Sequence, residues 1–407
     1  MTTLTMPHTL STRQYYGDPV LIIMTALLVT FGLVMMTSAS IEIGSRSYGD
    51  PLYFFKRQLV FMLMGLALGA GIIMNPMRLW YRSSVLLLFI AYLTLVLVLI
   101  PGIGREVNGS RRWIQLPGFG LQASEIAKLL VITFTAWFLS RHRELVRGTL
   151  RGLVYPALLL APVVGLLLLE PDFGATVVLC LAVMGMLFLG GINLFYMVLA
   201  GCILGGGGWL AIVTSEYRQM RLTTFMQTLQ NPFSEDVVFG SGYQLAQALI
   251  GFGRGEWGGV GLGNSIQKMY FLPEAHTDFV LAIVAEELGL VSVLLLLLLF
   301  FGFIARALML ARRNEESGRL FAAYLGYGIS LLFLGQLVIN AAVNVGLLPT
   351  KGLTLPFLSY GGSSLIMSIA MVAVLKFYRC HVPAVLIQHQ QKKLITANTL
   401  SFKTDAR

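Results

Sequence analysis

Apolar residues along this chain run in long, unbroken stretches that shorter polar segments separate. A helix needs about 20 apolar residues to cross a bilayer, and most of these runs have that length. The residues do not alternate between apolar and polar, which excludes a membrane-spanning β-barrel. The pattern therefore predicts an all-α polytopic membrane protein with ten transmembrane helices, at 19–38, 56–75, 84–101, 124–140, 153–170, 174–190, 194–214, 278–305, 320–344 and 362–379.

The composition agrees with a membrane protein, because 56% of the 407 residues are hydrophobic and only 12% are charged. Lys and Arg outnumber Asp and Glu by 29 to 19. More of these cations lie on the side of the membrane where the predicted topology places the N-terminus than on the opposite side. Cytoplasmic loops carry such an excess, so an N-in/C-in orientation accounts for the net charge of +10 without nucleic acid binding. Cys180, Cys202 and Cys380 indicate neither a disulfide framework nor a metal cluster.

One membrane domain, residues 19–380, occupies most of the chain between a cytoplasmic N-terminal segment, 1–18, and a cytoplasmic tail, 381–407. No cleavable signal peptide is evident, because the first apolar run is long enough to remain as a span.

The longest connection is the outer loop between spans 7 and 8, residues 215–277, which shows little obvious regular structure. It contains too many aromatic and aliphatic residues for a disordered linker. Residues 243–252 place Leu245, Leu249 and Phe252 on one helical face, which predicts a short helix lying on the membrane. The glycines of GRGEWG lack the βαβ unit of a dinucleotide site and indicate tight turns or close backbone approach.

Two carboxylates and a histidine stand at the outer edge of the eighth apolar run, as Glu274, His276 and Asp278 in LPEAHTDF. One interpretation is a helix start, with Thr277 as N-cap and Asp278 in a first turn favoured by the helix dipole. That interpretation leaves Glu274 and His276 unexplained. Because ionisable residues at membrane depth often mark functional sites, Asp278 is equally a candidate for a catalytic or binding role.

Four further ionisable residues lie inside predicted spans. Glu286 and Glu287 are in the eighth span, where a charge facing lipid costs about 2.5–3.5 kcal/mol, so at least one should face protein or water. The contact that such a glutamate makes with protein or water is either structural or functional. Glu125 and Lys128, in SEIAK, are three residues apart and can pair on one helix face. A structural ion pair is favoured, and the alternative is a pair that positions the active surface or touches substrate.

The shorter outer connections also contain polar motifs. In EPDFG, Pro171 ends one helix and Asp172 can cap the next, which is a structural role. Arg111 and Arg112, in NGSRRWIQL, need an anionic partner such as a lipid headgroup or a phosphate. The segment LLPTKGLTLPFLSYGGSS, 347–364, indicates a shaped wall of an outward-facing site.

Several of these motifs together resemble the SEDS family (shape, elongation, division and sporulation), over residues 19 to 380. SIQK followed by LPEAHTDF is similar to the cell-division branch rather than the elongation branch. Tyr270 departs from the acidic residue of some relatives. The motifs are RWIQL, SEIAKL, EPDFG, GYQLAQALIGFGRGEWGGVGLGNSIQK, PEAHTDF and PTKGLTLPFLSYGGSS.

The resemblance implies a peptidoglycan glycosyltransferase that polymerises lipid II into glycan strands at the periplasmic face of the inner membrane, at the division septum. It also implies a class B penicillin-binding protein as the transpeptidase partner, together with other divisome membrane proteins. Asp278 matches the family's essential carboxylate, and Glu125 with Lys128 matches its intramembrane pair.

The residues suit that chemistry, since pyrophosphate leaves without protonation and one carboxylate can act as general base. We expect Asp278 to be that base and undecaprenyl pyrophosphate to be the leaving group. No dedicated metal or cofactor site is evident, and a divalent cation, Mg or Mn, would share the pyrophosphate. The candidate substrate-binding residues are Lys56, Arg57, Arg111, Arg112, Arg254, Lys268, Glu274, His276, Lys351 and Ser359.

Three alternatives remain open. An elongation polymerase of the same family has similar motifs. A proton-coupled lipid II flippase or transporter would also contain intramembrane acids, although here the charged and glycine-rich motifs crowd on the outer face. A non-catalytic scaffold would leave the chemistry of the outer loop unexplained.

Overall fold

The computed structural model describes residues 17–376 apart from 108–109, 117–118, 233 and 241. Cys380, the predicted tail 381–407 and nearly all of the predicted N-terminal segment 1–18 lie outside the described residues.

The described residues form fourteen α-helices, three β-strands and one π-helical turn, Gln267–Phe271. The helices are α1 Pro19–Tyr48, α2 Tyr53–Met74, α3 Met77–Leu99, α4 Ala123–Arg141, α5 Arg143–Gly148, α6 Arg151–Leu169, α7 Phe173–Leu189, α8 Leu194–Val213, α9 Glu216–Gln230, α10 Glu235–Val238, α11 Tyr243–Gly255, α12 Val280–Glu316, α13 Leu320–Asn344 and α14 Gly362–Lys376.

Each of the ten predicted apolar runs coincides with one helix. Among the described residues, eight helices are long and apolar enough to cross a membrane, namely α1, α2, α3, α4, α6, α8, α12 and α13. Helix α7 and the apolar part of α14 are shorter. The prediction of an all-helical, polytopic membrane protein is confirmed, whereas the count of ten spans and the N-in/C-in orientation remain predictions.

Two helices extend well beyond the predicted spans at their C-terminal ends. Helix α1 continues ten residues past 38 to Tyr48, and α12 continues past 305 to Glu316. Both extensions are polar and contain an ion pair between residues four apart, Arg46–Glu42 and Arg312–Glu316. Helical hydrogen bonding therefore continues where the apolar run has ended, and such pairs support it.

A small antiparallel sheet, which the apolar pattern did not predict, lies between α3 and α4. Its strands are β1 Gly104–Val107, β2 Ser110–Leu116 and β3 Phe119–Gln122, in the order β1-β2-β3. Trp113 pairs with Gln122, and β3 leads directly into α4. The strands are short, so their signal is weak beside that of the neighbouring spans.

Helices α4 and α13 form the centre of the bundle. Most of their residues are buried, whereas α1, α2, α3, α6 and α12 bury about a third of theirs or less within their apolar windows. Of the eight long apolar helices in the described part of the chain, α8 is the most exposed, and it contacts α7 and α9. Glu125 and Lys128 are thus on a helix that other helices surround.

The outer loop 215–277 contains α9, α10 and α11, so the expectation of little regular structure is wrong. A helix at 243–252 is confirmed as α11, but the prediction that its apolar face lies on the membrane is wrong. Leu245 is buried and the helix packs against α12, so its apolar face meets protein.

Helix α12 is broken at Gly289, where φ is 78°. The segment after α11 occupies the break: Val260 N and Gly261 N donate to the carbonyls of Glu286 and Glu287, each at 2.9 Å. A Cβ on Gly259 would lie 2.2 Å from the carbonyl oxygen of Glu287, so only glycine fits there. The sequence predicted that these glycines allow a close approach of the backbone, and the partner that the backbone approaches is α12.

Candidate functional site

Asp278 lies two residues before α12, at the end of the bundle that carries the outer loop. Its backbone carbonyl accepts hydrogen bonds from Asn340 Nδ2 at 3.0 Å and Asn344 Nδ2 at 3.1 Å, both on the central helix α13. The Asp278 side chain lines a cavity of about 760 Å³. The backbone of this residue is thus fixed by the core while its carboxylate faces open space.

The helix-start interpretation of this segment is wrong. The N-cap position of α12 is Phe279, which makes no side-chain capping bond. The Thr277 hydroxyl instead donates to the carboxylate of Glu274 at 2.7 Å. The carbonyl of Glu274, a residue with φ of 56°, accepts the backbone N–H of Thr277, Asp278 and Phe279. A tight turn therefore presents Glu274 and Asp278 to the cavity together.

Six cations line the same cavity, and four of them form what we call the cationic cluster: Arg112, Arg218, Arg221 and Lys351. The ammonium of Lys351 lies 3.5 Å from the ring centre of Phe173, and the Arg218 guanidinium lies 5.7 Å from it. Arg221 donates to the Thr350 carbonyl at 2.9 Å, and Arg112 donates to the carbonyls of Glu170 and Pro171. These contacts gather charges from three separate chain segments near the turn between α6 and α7.

The cavity changes the acidity of its own groups. Burial, and then the charge of Glu274, raise the pKa of Asp278 to about 7, against the opposing effect of Arg112 and Arg221. Burial and the neighbouring Arg221 and Arg218 lower the pKa of Lys351 to about 8. Near neutral pH, Asp278 can therefore both accept and release a proton, which suits a general base.

The predicted role of Asp172 as a helix cap is confirmed, and Asp172 also lines the cavity. Its Oδ1 accepts the backbone N–H of Ala175 at 3.2 Å, and its Oδ2 accepts the Ser124 hydroxyl at 2.8 Å. Ser124 precedes Glu125 on α4, so its hydrogen bond to Asp172 connects the buried centre of the bundle to the cavity wall.

Neighbouring Glu170 is fully buried, and in the described part of the chain neither carboxylate oxygen has a hydrogen-bond partner. Burial, and then the charge of Asp172, raise the pKa of Glu170 to about 8, so this group is mostly protonated at neutral pH.

Of the ten candidate substrate-binding residues, four line the cavity: Arg57, Arg112, Glu274 and Lys351. The structure does not bring the other six there. Lys56 pairs with Asp50 at 2.7 Å, and Arg111 pairs with Glu106 at 3.1 Å, both on the surface. Ser359 is buried, and its hydroxyl accepts the backbone N–H of Leu355.

His276 lies behind the cavity wall rather than in it. Its ring packs 4.8 Å from Phe54 and 5.6 Å from Tyr360, measured between ring centres. Burial lowers its pKa, and its buried Nδ1 has no hydrogen-bond partner among the described residues. The structure gives it a packing position.

Arg254 and Lys268 instead bind the two glutamates of α12. Arg254 Nη1 lies 2.7 Å from Glu286, which also accepts the Ser265 hydroxyl and the backbone N–H of residues 266 and 267. Lys268 Nζ lies 2.6 Å from Glu287. Both carboxylates are fully buried in protein, so the prediction that at least one faces protein or water is confirmed, with structural contacts in both cases.

Glu125 and Lys128 form the predicted pair, with 2.7 Å between Nζ and Oε1 and both side chains buried. Neither lines the cavity, so the contacts agree with the structural interpretation. Within the described residues, no three His, Cys, Asp or Glu side chains are grouped so as to hold a metal ion. Asp172, Glu274 and Asp278 are the carboxylates in the cavity lining from which a divalent cation shared with pyrophosphate would draw its protein ligands, and this cation remains a prediction.

Sequence reasoning placed neither Arg218 nor Arg221 among the candidate binding residues, and Asp172 only as a helix cap. A signal existed for the arginines, because both are among the outer cations that the charge asymmetry of a membrane protein does not explain.

Comparisons with known proteins agree on one family. Residues 19–381 match the family described as cell cycle protein, which groups FtsW, RodA and SpoVE. The chain is 50% identical to the probable peptidoglycan glycosyltransferase FtsW of Hahella chejuensis, over 92% of this chain and 93% of that protein. It is 49% identical to the protein of the same name from Pseudomonas fluorescens, over 86% and 84% of the two chains.

Two solved structures share the fold. A chain of a peptidoglycan synthase complex, studied for its coordination of polymerization and crosslinking, matches with a TM-score of 0.71 and 30% identity, over 90% of this chain and 98% of that one. The rod shape determining protein RodA of Thermus thermophilus matches with a TM-score of 0.66 and 28% identity, over 91% and 99% of the two chains.

Proposed function

This chain belongs to the FtsW, RodA and SpoVE family of cell cycle proteins, as its SEDS resemblance implied, and we propose that its outer cavity is the active site of a peptidoglycan glycosyltransferase. The substrate is lipid II, and the product is a glycan strand made during cell division. The single observation that carries the assignment of the site is the position of Asp278 in one cavity with the cationic cluster.

Asp278 acts as the general base. It takes the proton from a hydroxyl of the acceptor sugar while that oxygen forms a bond to the anomeric carbon of the donor sugar. The bond from this carbon to the pyrophosphate oxygen breaks, and the electron pair leaves with undecaprenyl pyrophosphate. The pKa of Asp278 near 7 supports this role, because at neutral pH the carboxylate is ionised in about half of the molecules and can hold the proton after the reaction.

The cationic cluster binds the pyrophosphate. Arginine matches phosphate oxygens with paired donors, and charges in a partly buried site attract the leaving group more strongly than charges in water. The apolar helices below the cavity surround the polyprenyl tail in the bilayer. The headgroup thus lies in the cavity at the end of the bundle, while the polyprenyl tail stays in the bilayer.

Placement in the cell follows from the same reaction. We propose that the chain crosses the inner membrane ten times with both termini inside, that the cavity faces the periplasm, and that the protein works at the septum. The solved relative in a complex that couples polymerization with crosslinking supports a class B penicillin-binding protein as partner.

The contacts give the flippase alternative no support. A proton-coupled transporter needs ionisable groups that open to water in turn. Here Glu286 and Glu287 are fully buried and each binds a cation, and Glu125 binds Lys128.

The test is polymerisation of lipid II by purified protein together with its transpeptidase partner. Asp278→Asn keeps the shape of the side chain, and we expect the rate to fall by about 10²–10⁴-fold because the base is lost. Asp50→Asn is the matched control, since Asp50 is an outer carboxylate that pairs with Lys56 and does not line the cavity. A folded Asp278→Asn protein that polymerises at the wild-type rate would remove the assignment.

A further inference from the structure

Part of the cavity wall is aromatic and lies on chain segments other than those of the cationic cluster. We call Tyr48, Phe61 and Tyr360 the aromatic wall, because all three line the cavity and come from α1, α2 and the loop before α14. Tyr48 stacks on Tyr53 with 3.8 Å between ring centres and 7° between planes, yet it remains 54% exposed. The rings come from the end of α1, from α2 and from the loop before α14, so tertiary folding assembles them.

The wall is rigid and has polar groups at its edge. Phe54 packs edge-on against Tyr48, Tyr53 and Tyr360, with centroid distances of 5.0 to 5.7 Å. Arg57 also lines the cavity, and its guanidinium lies over the Tyr53 ring at 5.5 Å and donates to the Tyr53 hydroxyl. Flat apolar faces therefore lie beside phenol and guanidinium donors.

Such a surface matches a sugar ring. A pyranose has faces of C–H groups that pack on aromatic rings and a rim of hydroxyls that needs hydrogen-bond partners. An aromatic belt at the membrane surface is the ordinary alternative, and its rings face lipid headgroups. Tyr48, Phe61 and Tyr360 instead face a cavity that they share with Asp278 and Arg57, which favours a ligand.

Asp278 lies between the aromatic wall and the cationic cluster. On one side, a Cβ on Gly352 would lie 3.4 Å from Asp278 Oδ2, and Gly352 follows Lys351 of the cationic cluster. On the other side, the carbonyl of His276, two residues before Asp278, accepts the backbone N–H of Tyr360 at 2.8 Å. The base is therefore flanked by positive charge and by aromatic rings.

We infer that the aromatic wall is a sugar subsite, on the acceptor side of the reacting carbon. This inference rests on the proposed function, in which the cationic cluster holds the leaving pyrophosphate. In a displacement at the anomeric carbon the attacking oxygen approaches opposite the leaving oxygen. The acceptor sugar, whose hydroxyl gives its proton to Asp278, then lies away from the cationic cluster and against Tyr48 and Tyr360, within reach of Arg57.

The experiment compares a ligand that has sugars with one that lacks them. For each variant, with its partner present, the KM for lipid II and the inhibition constant of undecaprenyl pyrophosphate are measured. Tyr48→Ala should raise the KM roughly 3- to 10-fold, the range expected for one aromatic contact, and leave the inhibition constant unchanged. Tyr48→Phe keeps the ring and loses only the hydroxyl, so it should raise the KM less than Tyr48→Ala does. Lys351→Gln should weaken both lipid II binding and inhibition.

Phe239→Ala is the control, because this ring is 83% exposed and does not line the cavity. A Tyr48→Ala protein with the wild-type KM would exclude the wall from substrate binding. Equal weakening of lipid II and undecaprenyl pyrophosphate would assign the wall to the pyrophosphate instead. Both results differ from failure of the proposed function, in which the wild-type protein itself makes no glycan.

Discussion

The ammonium of Lys268 lies 2.6 Å from the carboxylate of Glu287, and the Ser38 hydroxyl contacts both groups. This interaction connects the outer loop, α12 and α1, two residues before the break in α12 at Gly289. A parallel contact between Arg254 and Glu286 lies one residue earlier. The helix segment that begins beside Asp278 is therefore held by charges from the loop on its outer side.

Removing one partner of the buried pair should destabilise the protein. Lys268→Met leaves the Glu287 charge buried without its cation, and we expect a loss of about 3–5 kcal/mol in the free energy of unfolding. Adding Glu287→Gln should recover much of that loss. The midpoint of thermal unfolding in detergent measures both effects.

The exposed pair Arg312–Glu316 provides the control, because surface ion pairs contribute about 0–1 kcal/mol. If Lys268→Met and Arg312→Met shift the midpoint equally, the buried pair does not stabilise the fold as described.

Gly289→Ala tests the break in α12. Gly289 and Gly318 both have positive φ, and Gly289, with ψ of 174°, lies in a region of backbone conformation that is essentially confined to glycine. A Cβ at Gly289 would also lie 2.4 Å from the Trp257 carbonyl oxygen, whereas a Cβ at Gly318 meets nothing within 4 Å. We therefore expect Gly289→Ala to lower the unfolding midpoint clearly more than Gly318→Ala. Similar shifts would show that the loop does not pack tightly into the break.

The acid side of the pH–rate profile should report Asp278. The base accepts a proton only when ionised, so kcat/KM should rise with pH up to about 7 and then level. The charge of Glu274 helps to raise this pKa, so Glu274→Gln should move the acid limb to lower pH. An acid limb near the ordinary aspartate value of about 4 would contradict the burial of this carboxylate.

The alkaline side should report Lys351. Its pKa of about 8 means that the ammonium loses its charge as the pH rises above that value, and pyrophosphate binding weakens. We expect kcat/KM to fall there, which makes the profile bell-shaped. Lys351→Arg should extend activity to higher pH, because a guanidinium stays charged. An alkaline limb that does not move in this variant would assign it to another group.

Features that depend on local sequence were predictable. The apolar runs indicated the helices, because about 20 apolar residues have few stable arrangements other than a membrane helix. The i, i+3 spacing of Glu125 and Lys128 indicated their ion pair, because one turn of a helix brings two such side chains close together. Asp278 was identifiable as a candidate functional residue, because it lies at the edge of a predicted span.

Tertiary structure decided which cations belong to the cavity. Along the chain, Arg218, Arg221, Arg254 and Lys268 are alike, as basic residues of one outer loop. Folding places the last two beside the buried carboxylates of α12, where leaving a charge unpaired costs most, and the first two beside the turn after α6. The role of a charged side chain depends on which opposite charge the fold brings near it. Sequence spacing does not contain that information for residues far apart in the chain.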